Sequence, residues 1–258
     1  MTENPAASPA PLTVVGIGPG DSALLTPEAR ATLEACACVA GYGLYLDLLP
    51  PTLLAGKRLV SSGMRQERER CGAAVDAALA GEATALVSSG DAGIYAMAGL
   101  ALEILEERGL LETVPFGVVP GVPALCAAAA LLGAPLTHDF ACVSLSDLLT
   151  PLARIRARLQ AALEADFVCV IYNPRSHGRP DYLGMAFDMA RKHREPSCPV
   201  GMVRKAYRPG QEVVLTTLAE ADPAWADMLS LVIIGNSESH LAGRWMLTPR
   251  GYARKTGG

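Results

Sequence analysis

The chain has 258 residues, of which 50% are hydrophobic, and its 22 basic and 26 acidic side chains give a net charge of −4. This length allows two domains of roughly 120 residues each, and the mildly acidic balance disfavours a nucleic-acid-binding protein, which usually shows a basic face. Residues 1–11 lack the charged segment and apolar core of a signal peptide, so we expect a disordered lead-in. The most apolar stretch, residues 118–136, is interrupted by prolines and glycines, so we expect no membrane span and no membrane partner.

The cysteines are scattered and form no Cys-x-x-Cys pair. This usage is typical of buried, reduced thiols in a cytoplasmic protein, and it predicts no metal site, because structural zinc needs paired spacing. The seven are Cys36, Cys38, Cys71, Cys126, Cys142, Cys169 and Cys198.

Strand and helix patterns alternate along the first half of the chain, which predicts an α/β sheet with ligand sites at strand ends. We place strands at residues 12–17, 36–40, 58–61, 84–87 and 113–119, and helices at residues 27–35, 66–80 and 99–107, the last pattern starting near Met97.

The pattern restarts after Pro120, so we predict an N-terminal α/β domain over 12–119, a C-terminal α/β domain over 120–246 and a tail over 247–258. We place helices at residues 124–132, 151–163 and 181–193, and strands at residues 140–145, 167–172, 200–204, 212–216 and 229–234.

Two glycine-rich loops follow apolar strands, at residues 16–21 (GIGPGD) and 87–95 (VSSGDAGIY). Asp21 stands where a dinucleotide-binding loop has its third glycine, and a carboxylate repels a pyrophosphate. The loops therefore predict a ligand without phosphate. Locally, Asp21 and Asp91 have an alternative role as caps of the turns that follow them, whereas Asp91 is also suited to a ribose or an ammonium group.

Two arginine patterns stand out. Arg175 lies in a third polar loop, residues 173–176 (NPRS), and its side chain is suited to a bidentate grip on a carboxylate; the alternative is an exposed loop arginine. Arg65, Arg68 and Arg70 alternate with glutamates, which favours a solvated helix face.

Four segments in this order resemble the tetrapyrrole methyltransferases, the class III S-adenosylmethionine-dependent enzymes: residues 15–21 (VGIGPGD), 89–91 (SGD), 120–122 (PGV) and 171–174 (IYNP). Within that family the chain most resembles the enzymes that methylate carbon 17 of precorrin-3B and contract its ring. The segments that carry this closer resemblance are residues 41–42 (GY), 88–99 (SSGDAGIYAMAG), 133–140 (GAPLTHDF), 144–151 (SLSDLLTP), 172–176 (YNPRS), 234–237 (IGNS) and 248–252 (TPRGY).

The resemblance implies the tetrapyrrole methylase fold: α/β, with two α/β domains and the cofactor site in the cleft between them, assembled as a homodimer. It implies S-adenosyl-L-methionine as cofactor, S-adenosyl-L-homocysteine as product and a tetrapyrrole as substrate. Carried over by motif, the cofactor-binding residues are Pro19, Gly90, Asp91, Ala92, Ile94, Pro123, Ala124, Tyr172, Asn173 and Ala206. The chain departs from uroporphyrinogen-methylating relatives at Pro123, Asn173 and Ala206.

The implied chemistry is a pinacol-like shift that expels carbon 20 from the ring, coupled to methylation of carbon 17. A general acid or base near the carbon-20 oxygen would accelerate it by about 10²–10⁴-fold. The candidate catalytic residues are Asp91, Asp147, His138 and Tyr95, each with a structural alternative as a cap, a lone structural histidine or a packing aromatic. The candidate substrate-binding residues are Arg175, Ser176, Arg179, Ser146 and Arg250.

A metal-free substrate is favoured over a cobalt-containing one, because the chain has no clustered cysteines. The sequence is also compatible with three different functions: a methyltransferase acting on another position of the corrin ring, a nucleotide-dependent oxidoreductase, and a tetrapyrrole carrier without catalytic activity.

Overall fold

The computed structural model describes residues 8–179 and 181–252, and the chain divides into two compact units, residues 1–124 and 125–258. The predicted lead-in over 1–11 and the predicted tail over 247–258 lie partly outside the described residues. The strands are β1 (Leu12–Gly16), β2 (Cys38–Tyr42), β3 (Arg58–Ser62), β4 (Thr84–Ser88), β5 (Phe116–Val119), β6 (Gly133–Ala134), β7 (Phe140–Ser144), β8 (Val168–Tyr172), β9 (Pro199–Arg204), β10 (Glu212–Thr217), β11 (Ser230–Ile234), β12 (His240–Ala242) and β13 (Trp245–Leu247). The α-helices are α1 (Pro27–Ala35), α2 (Gly43–Leu46), α3 (Pro51–Leu54), α4 (Glu67–Leu79), α5 (Met97–Glu107), α6 (Ala124–Leu132), α7 (Leu152–Glu164) and α8 (Tyr182–Ala190).

The first unit is built on a parallel sheet with the strand order β3-β2-β4-β1-β5. Its central strands are apolar on both faces, because helices cover both faces of a parallel sheet. Val14 packs into a core with α4 and α5, whereas the next residue, Val15, packs into a second core with α1 and α3. Because all five strands run parallel, their carboxyl ends lie at one edge of this sheet.

The second unit has a mixed sheet with the order β10-β9-β11-β8-β7. Only β7 and β8 are parallel to each other; β11, β9 and β10 continue antiparallel. Helices α7 and α8 bury the largest core of this unit, around Phe187 and Leu159. At Gly201 a Cβ would lie 2.4 Å from Leu132 Cδ1, so Leu132 of α6 packs closely on this strand position.

A small sheet of β12, β13 and β6 joins the last described residues to the start of the second unit. Thr248, directly after β13, is fully buried, and its Oγ1 hydrogen-bonds with Ser239 Oγ at 2.7 Å. This sheet, α2 and α3 were not predicted from the sequence.

The predicted α/β class is confirmed, and the principal strands and helices lie where the hydrophobic patterns put them. Two predicted elements are shorter. The amides of Thr113 and Val114 both donate to Leu110 O, which holds them in a turn before β5. His193 N donates to Ala190 O, so α8 ends at Ala190 in a tighter turn. Within the described residues, every helix falls short of the length and apolarity needed to cross a bilayer.

We predicted a solvated helix face for Arg65, Arg68 and Arg70, and this prediction is wrong for Arg70. Arg65 and Arg68 are exposed, but Arg70 retains only 4% of its accessible surface. In a helix, Arg70 shares a face with Ala74 and Ala77, which are buried against the sheet.

Candidate functional site

Three loops meet at the carboxyl ends of β1, β4 and β5 in the first unit. Gly18 N donates to Gly90 O at 3.1 Å, and Gly90 N donates to Gly18 O at 2.8 Å. Both glycines have a positive φ, 73° and 71°, which residues other than glycine rarely adopt. The two glycine loops are therefore joined directly through their backbones.

The third loop packs on the other two without space for a side chain. A Cβ on Gly121 would lie 2.2 Å from Gly90 O and 2.6 Å from Gly16 O, and a Cβ on Gly16 would lie 2.6 Å from Gly121 N. The obstructing atoms are backbone atoms, so no rotamer change relieves the contact. Glycine at positions 16 and 121 is thus a packing requirement.

Asp91 connects two of these loops through both of its carboxylate oxygens. Oδ1 accepts a hydrogen bond from Gly93 N at 2.8 Å, which closes the local turn, and Oδ2 accepts one from Gly121 N at 3.1 Å. The capping role considered for Asp91 is observed, and it extends to a loop 30 residues away. Its roles toward a cofactor and a proton stay predictions.

Asp21 also takes the capping role. Its Oδ1 accepts a hydrogen bond from Ala23 N at 2.8 Å and caps a short 3₁₀ turn over Ser22–Leu24. A phosphate-binding loop needs free backbone amides, but here the amides of residues 17, 18, 23, 90, 93 and 121 already donate to protein oxygens. The arrangement fits a ligand without phosphate, such as a cationic sulfonium compound.

The remaining predicted residues of the first unit line these loops. Pro123 Cα and Ala124 N lie 3.7 and 3.5 Å from the position of a Gly90 Cβ. Pro19 and Ala92 are buried, whereas Ile94 and Tyr95 are exposed by 37% and 55%. Tyr95 has a φ of 52°, an unusual conformation for an aromatic residue.

In the second unit, predicted residues gather at the carboxyl ends of β7 and β8. Tyr172 Oη accepts a hydrogen bond from Leu125 N at 3.1 Å. Asn173, with a φ of 50°, donates from Nδ2 to Ser144 Oγ at 2.9 Å, and Ser146 N donates to the same oxygen at 3.2 Å. Ser144 Oγ therefore accepts hydrogen bonds from both residues. Sequence reasoning missed Ser144 as a site residue, and its place in the 144–151 segment is the only sequence signal that points to it.

Arg179 and Asp147 are held by their own unit. Arg179 Nη1 donates to Leu145 O at 2.7 Å and to Asn173 O at 3.2 Å, and its Nε lies 3.6 Å from Asp147 Oδ1. Tyr182 donates its hydroxyl proton to Asp147 Oδ2 at 2.7 Å, and this hydrogen bond raises the pKa of Tyr182. Tyr182 was not predicted as part of this network, because its contact depends on how the 144–151 segment folds back.

The other predicted residues of the second unit lie in loops at several places. Arg175 Nη1 donates to Ala224 O at 2.7 Å, and Ser176 forms a tight turn with Arg179. The exposed His138 accepts a hydrogen bond at Nδ1 from Asp139 N at 2.8 Å. Ala206 lies between Lys205 and Tyr207, which both have positive φ, and Arg250 is exposed.

Burial suppresses the reactivity of several thiols. Desolvation raises the pKa of Cys71 and of Cys169 to about 12 and that of Cys198 to about 11. Within residues 8–179 and 181–252, no three His, Cys, Asp or Glu side chains cluster closely enough to hold a metal ion.

Comparison with known proteins gives a consistent assignment. Residues 11–222 match the family described as tetrapyrrole (corrin/porphyrin) methylases. A probable cobalt-factor III C(17)-methyltransferase of Salmonella typhimurium is 48% identical over 241 residues, which cover 93% of this chain and 99% of that protein. A precorrin-3B C(17)-methyltransferase of a Sinorhizobium species is 41% identical over 249 residues, which cover 94% and 97% of the two chains. The crystal structure of the methyltransferase CobJ superposes with a TM-score of 0.88 at 36% identity and covers 93% of this chain and 100% of that one.

Proposed function

The chain belongs to the tetrapyrrole (corrin/porphyrin) methylases. From its similarity to relatives named as C(17)-methyltransferases, we propose that it methylates carbon 17 of precorrin-3B and contracts the ring to give precorrin-4, a step of cobalamin biosynthesis. The predicted family and the predicted enzyme class, a methyltransferase, are confirmed. Family membership also excludes the nucleotide-dependent oxidoreductase.

The methyl donor we propose is S-adenosyl-L-methionine, which supplies an electrophilic methyl group on a sulfonium and leaves as S-adenosyl-L-homocysteine. The observation that carries this proposal is the set of backbone amides already bonded to protein oxygens around Gly18 and Gly90, beside the carboxylates of Asp21 and Asp91. This surface disfavours a phosphate and favours a cation.

In the first unit the cofactor would be held by Pro19, Gly90, Asp91, Ala92, Ile94, Pro123 and Ala124. Their backbone is fixed by the glycine contacts and by Asp91, so contacts within the chain hold the loops in place. Such positioning supplies a large part of the rate of a displacement reaction. Tyr172, Asn173 and Ala206 of the second unit are proposed from family resemblance alone.

The proton carrier is proposed among Asp91, Asp147, His138 and Tyr95. Asp147 already accepts a hydrogen bond from Tyr182 and lies near Arg179, so its carboxylate is arranged to hold that network in place. Asp91 accepts hydrogen bonds from two backbone amides, and neither donor carries a charge. Both carboxylates therefore already accept hydrogen bonds within the chain, and the four residues are proposed with equal rank.

The substrate's carboxylates are proposed to meet Arg175, Ser176, Arg179, Ser146 and Arg250. Among them, Arg175 donates from Nη1 to the exposed Ala224 O, and its planar guanidinium is suited to a bidentate grip on a carboxylate. Arg179 is the weakest, because its guanidinium is already bound to two carbonyls and faces a carboxylate.

A cobalt-containing substrate is the second candidate. The relative named as a probable cobalt-factor III C(17)-methyltransferase is 48% identical, against 41% for the relative named for precorrin-3B. This difference favours the cobalt-loaded substrate, whereas the scattered cysteines of the sequence favour the metal-free one.

The test is an anaerobic assay in which the protein and S-adenosylmethionine are mixed separately with metal-free precorrin-3B and with its cobalt-loaded counterpart. We expect a mass gain of one methyl with one of the two, and a ¹³C-labelled methyl donor identifies carbon 17 in the product by NMR. Binding of both tetrapyrroles without methyl transfer would indicate a carrier, and a label on another carbon would indicate a different corrin methyltransferase.

The quaternary state and compartment are proposed on family resemblance. We propose a homodimer in the cytoplasm; sedimentation equilibrium that returns a monomer at micromolar concentration would contradict the dimer.

A further inference from the structure

Arg70 is an unusual residue in the first unit. It lies in the first turn of α4 and, among the arginines that the structure describes, is one of three with less than a tenth of their surface exposed, together with Arg179 and Arg194. Arg194 lies 3.1 Å from Asp166, and Arg179 lies 3.6 Å from Asp147. Within residues 8–179 and 181–252, no carboxylate lies within 4.0 Å of the Arg70 guanidinium.

The guanidinium of Arg70 is only partly hydrogen-bonded. Nη1 donates to Ser62 Oγ at 2.6 Å and, at the long distance of 3.4 Å, to Gly63 O. Nε is buried and has no hydrogen-bond partner among the described residues. The guanidinium carbon lies 6.0 Å from the ring centre of Tyr42. The Nε–Nη2 edge, which carboxylates bind in a bidentate way, therefore carries no hydrogen bond within the described chain.

A buried cation without a counter-ion destabilises a folded protein. The other two buried arginines show how this chain normally avoids that penalty, through a carboxylate and several carbonyls. An arginine that departs from this pattern is expected to meet its anion from outside the chain.

The location of Arg70 suits such a ligand. Ser62 ends β3 and Tyr42 ends β2, so Arg70 lies at the same edge of the parallel sheet as the glycine loops. Ligands of open α/β sheets bind at this edge. Two apolar side chains that follow these strands are exposed: Leu44 in α2 by 54% and Met64, in the turn after β3, by 53%. A buried cation at an edge that also exposes apolar side chains suits a flat, hydrophobic ring system that carries carboxylate side chains.

We propose that Arg70 binds one carboxylate side chain of the tetrapyrrole through its Nε–Nη2 edge while Ser62 holds Nη1. This inference rests on the proposed function for the class of ligand. Nothing in it requires Arg70 to touch the methyl donor. Arg70 is therefore expected to contribute to the affinity for the tetrapyrrole and not to the affinity for the methyl donor.

The test compares Arg70→Gln and Arg70→Lys with a matched control, Arg68→Gln, which removes an exposed arginine from the same helix turn. Each is titrated with uroporphyrin III, a stable tetrapyrrole polycarboxylate, by fluorescence, and with S-adenosylhomocysteine by calorimetry. For Arg70→Gln we expect tetrapyrrole affinity to fall about tenfold or more, and for Arg70→Lys about threefold, because lysine cannot bind in a bidentate way.

Affinity for S-adenosylhomocysteine and the melting temperature of Arg70→Lys should match those of Arg68→Gln. Unchanged uroporphyrin affinity in both Arg70 variants would overturn the proposal. An equal fall in affinity for uroporphyrin and for S-adenosylhomocysteine would also overturn it, because Arg70 would then only support the fold. If the unsubstituted protein binds uroporphyrin but methylates neither corrin substrate, the proposed function fails while the role of Arg70 is still decided by the titrations.

Discussion

Gly121 offers a sharp test of the loop cluster in the first unit. In Gly121→Ala the new Cβ would lie 2.2 Å from Gly90 O, although real Cβ contacts are essentially never under 3.0 Å. The loops must therefore separate by at least about 0.8 Å, the difference between these distances. That movement also lengthens the hydrogen bond from Gly121 N to Asp91 Oδ2, now 3.1 Å.

Two contributions set the expected magnitude. Overpacking typically costs about 1–3 kcal/mol, and a hydrogen bond to a charged group contributes about 1.5–3 kcal/mol. We expect the free energy of unfolding to fall by about 3–5 kcal/mol from the two together. If about 3 kcal/mol of this appears in cofactor binding, the dissociation constant of S-adenosylhomocysteine rises about 100-fold.

The assay is urea unfolding together with calorimetric titration of S-adenosylhomocysteine. Gly117→Ala is the matched control, because it lies on β5 and its Cβ would meet Thr13 at an ordinary 3.8 Å; it should change stability by less than about 0.5 kcal/mol. Equal stability and equal affinity for Gly121→Ala and Gly117→Ala would refute the close packing of these loops.

Three further predictions concern separate parts of the molecule. Arg175→Ala should weaken tetrapyrrole binding while S-adenosylmethionine affinity stays within about twofold, since a bidentate carboxylate grip is lost; equal loss of both in calorimetry would reject this role. Asp147→Asn should lower the raised pKa of Tyr182 toward its ordinary value of 10.0, followed by NMR of labelled tyrosine; an unchanged titration would show that another group causes the shift. Cys71 has a pKa raised from 9.0 to about 12 in the folded state, so its stabilising contribution is complete below pH 9 and is lost as pH rises toward 12. Between pH 8 and pH 10 the free energy of unfolding should therefore fall by about 1 kcal/mol less in Cys71→Ala than in the unsubstituted protein. An identical fall in the two proteins would contradict the raised pKa of Cys71.

The sequence was sufficient for the elements whose patterns are local. Five-residue apolar strands such as β4 and β8 and the proline-started α1 lie where hydrophobic periodicity indicates them. The pairing of β6 with β13 could not be predicted, because two- and three-residue strands more than a hundred residues apart leave no periodic signal.

The site was predictable as a set of loops but not as a set of contacts. Glycine and carboxylate spacing identifies the loops, whereas the hydrogen bond from Gly121 to Asp91 depends on sheet order. At Arg70 two signals conflict. The alternating charges around it indicate a solvated face, but the helical period puts it on the face of Ala74 and Ala77, and the period prevails in the folded chain.

The hydrogen bonds between Gly18 and Gly90 have a consequence for inhibitor design. Because the amides of these residues already donate to each other's carbonyls, a compound built around a phosphate or a phosphate mimic would have to break that pair before it could bind them. Analogues with a fixed positive charge and a sugar hydroxyl face no such competition. Charged sulfonium or amine isosteres are therefore expected to bind these loops better than phosphate-containing compounds.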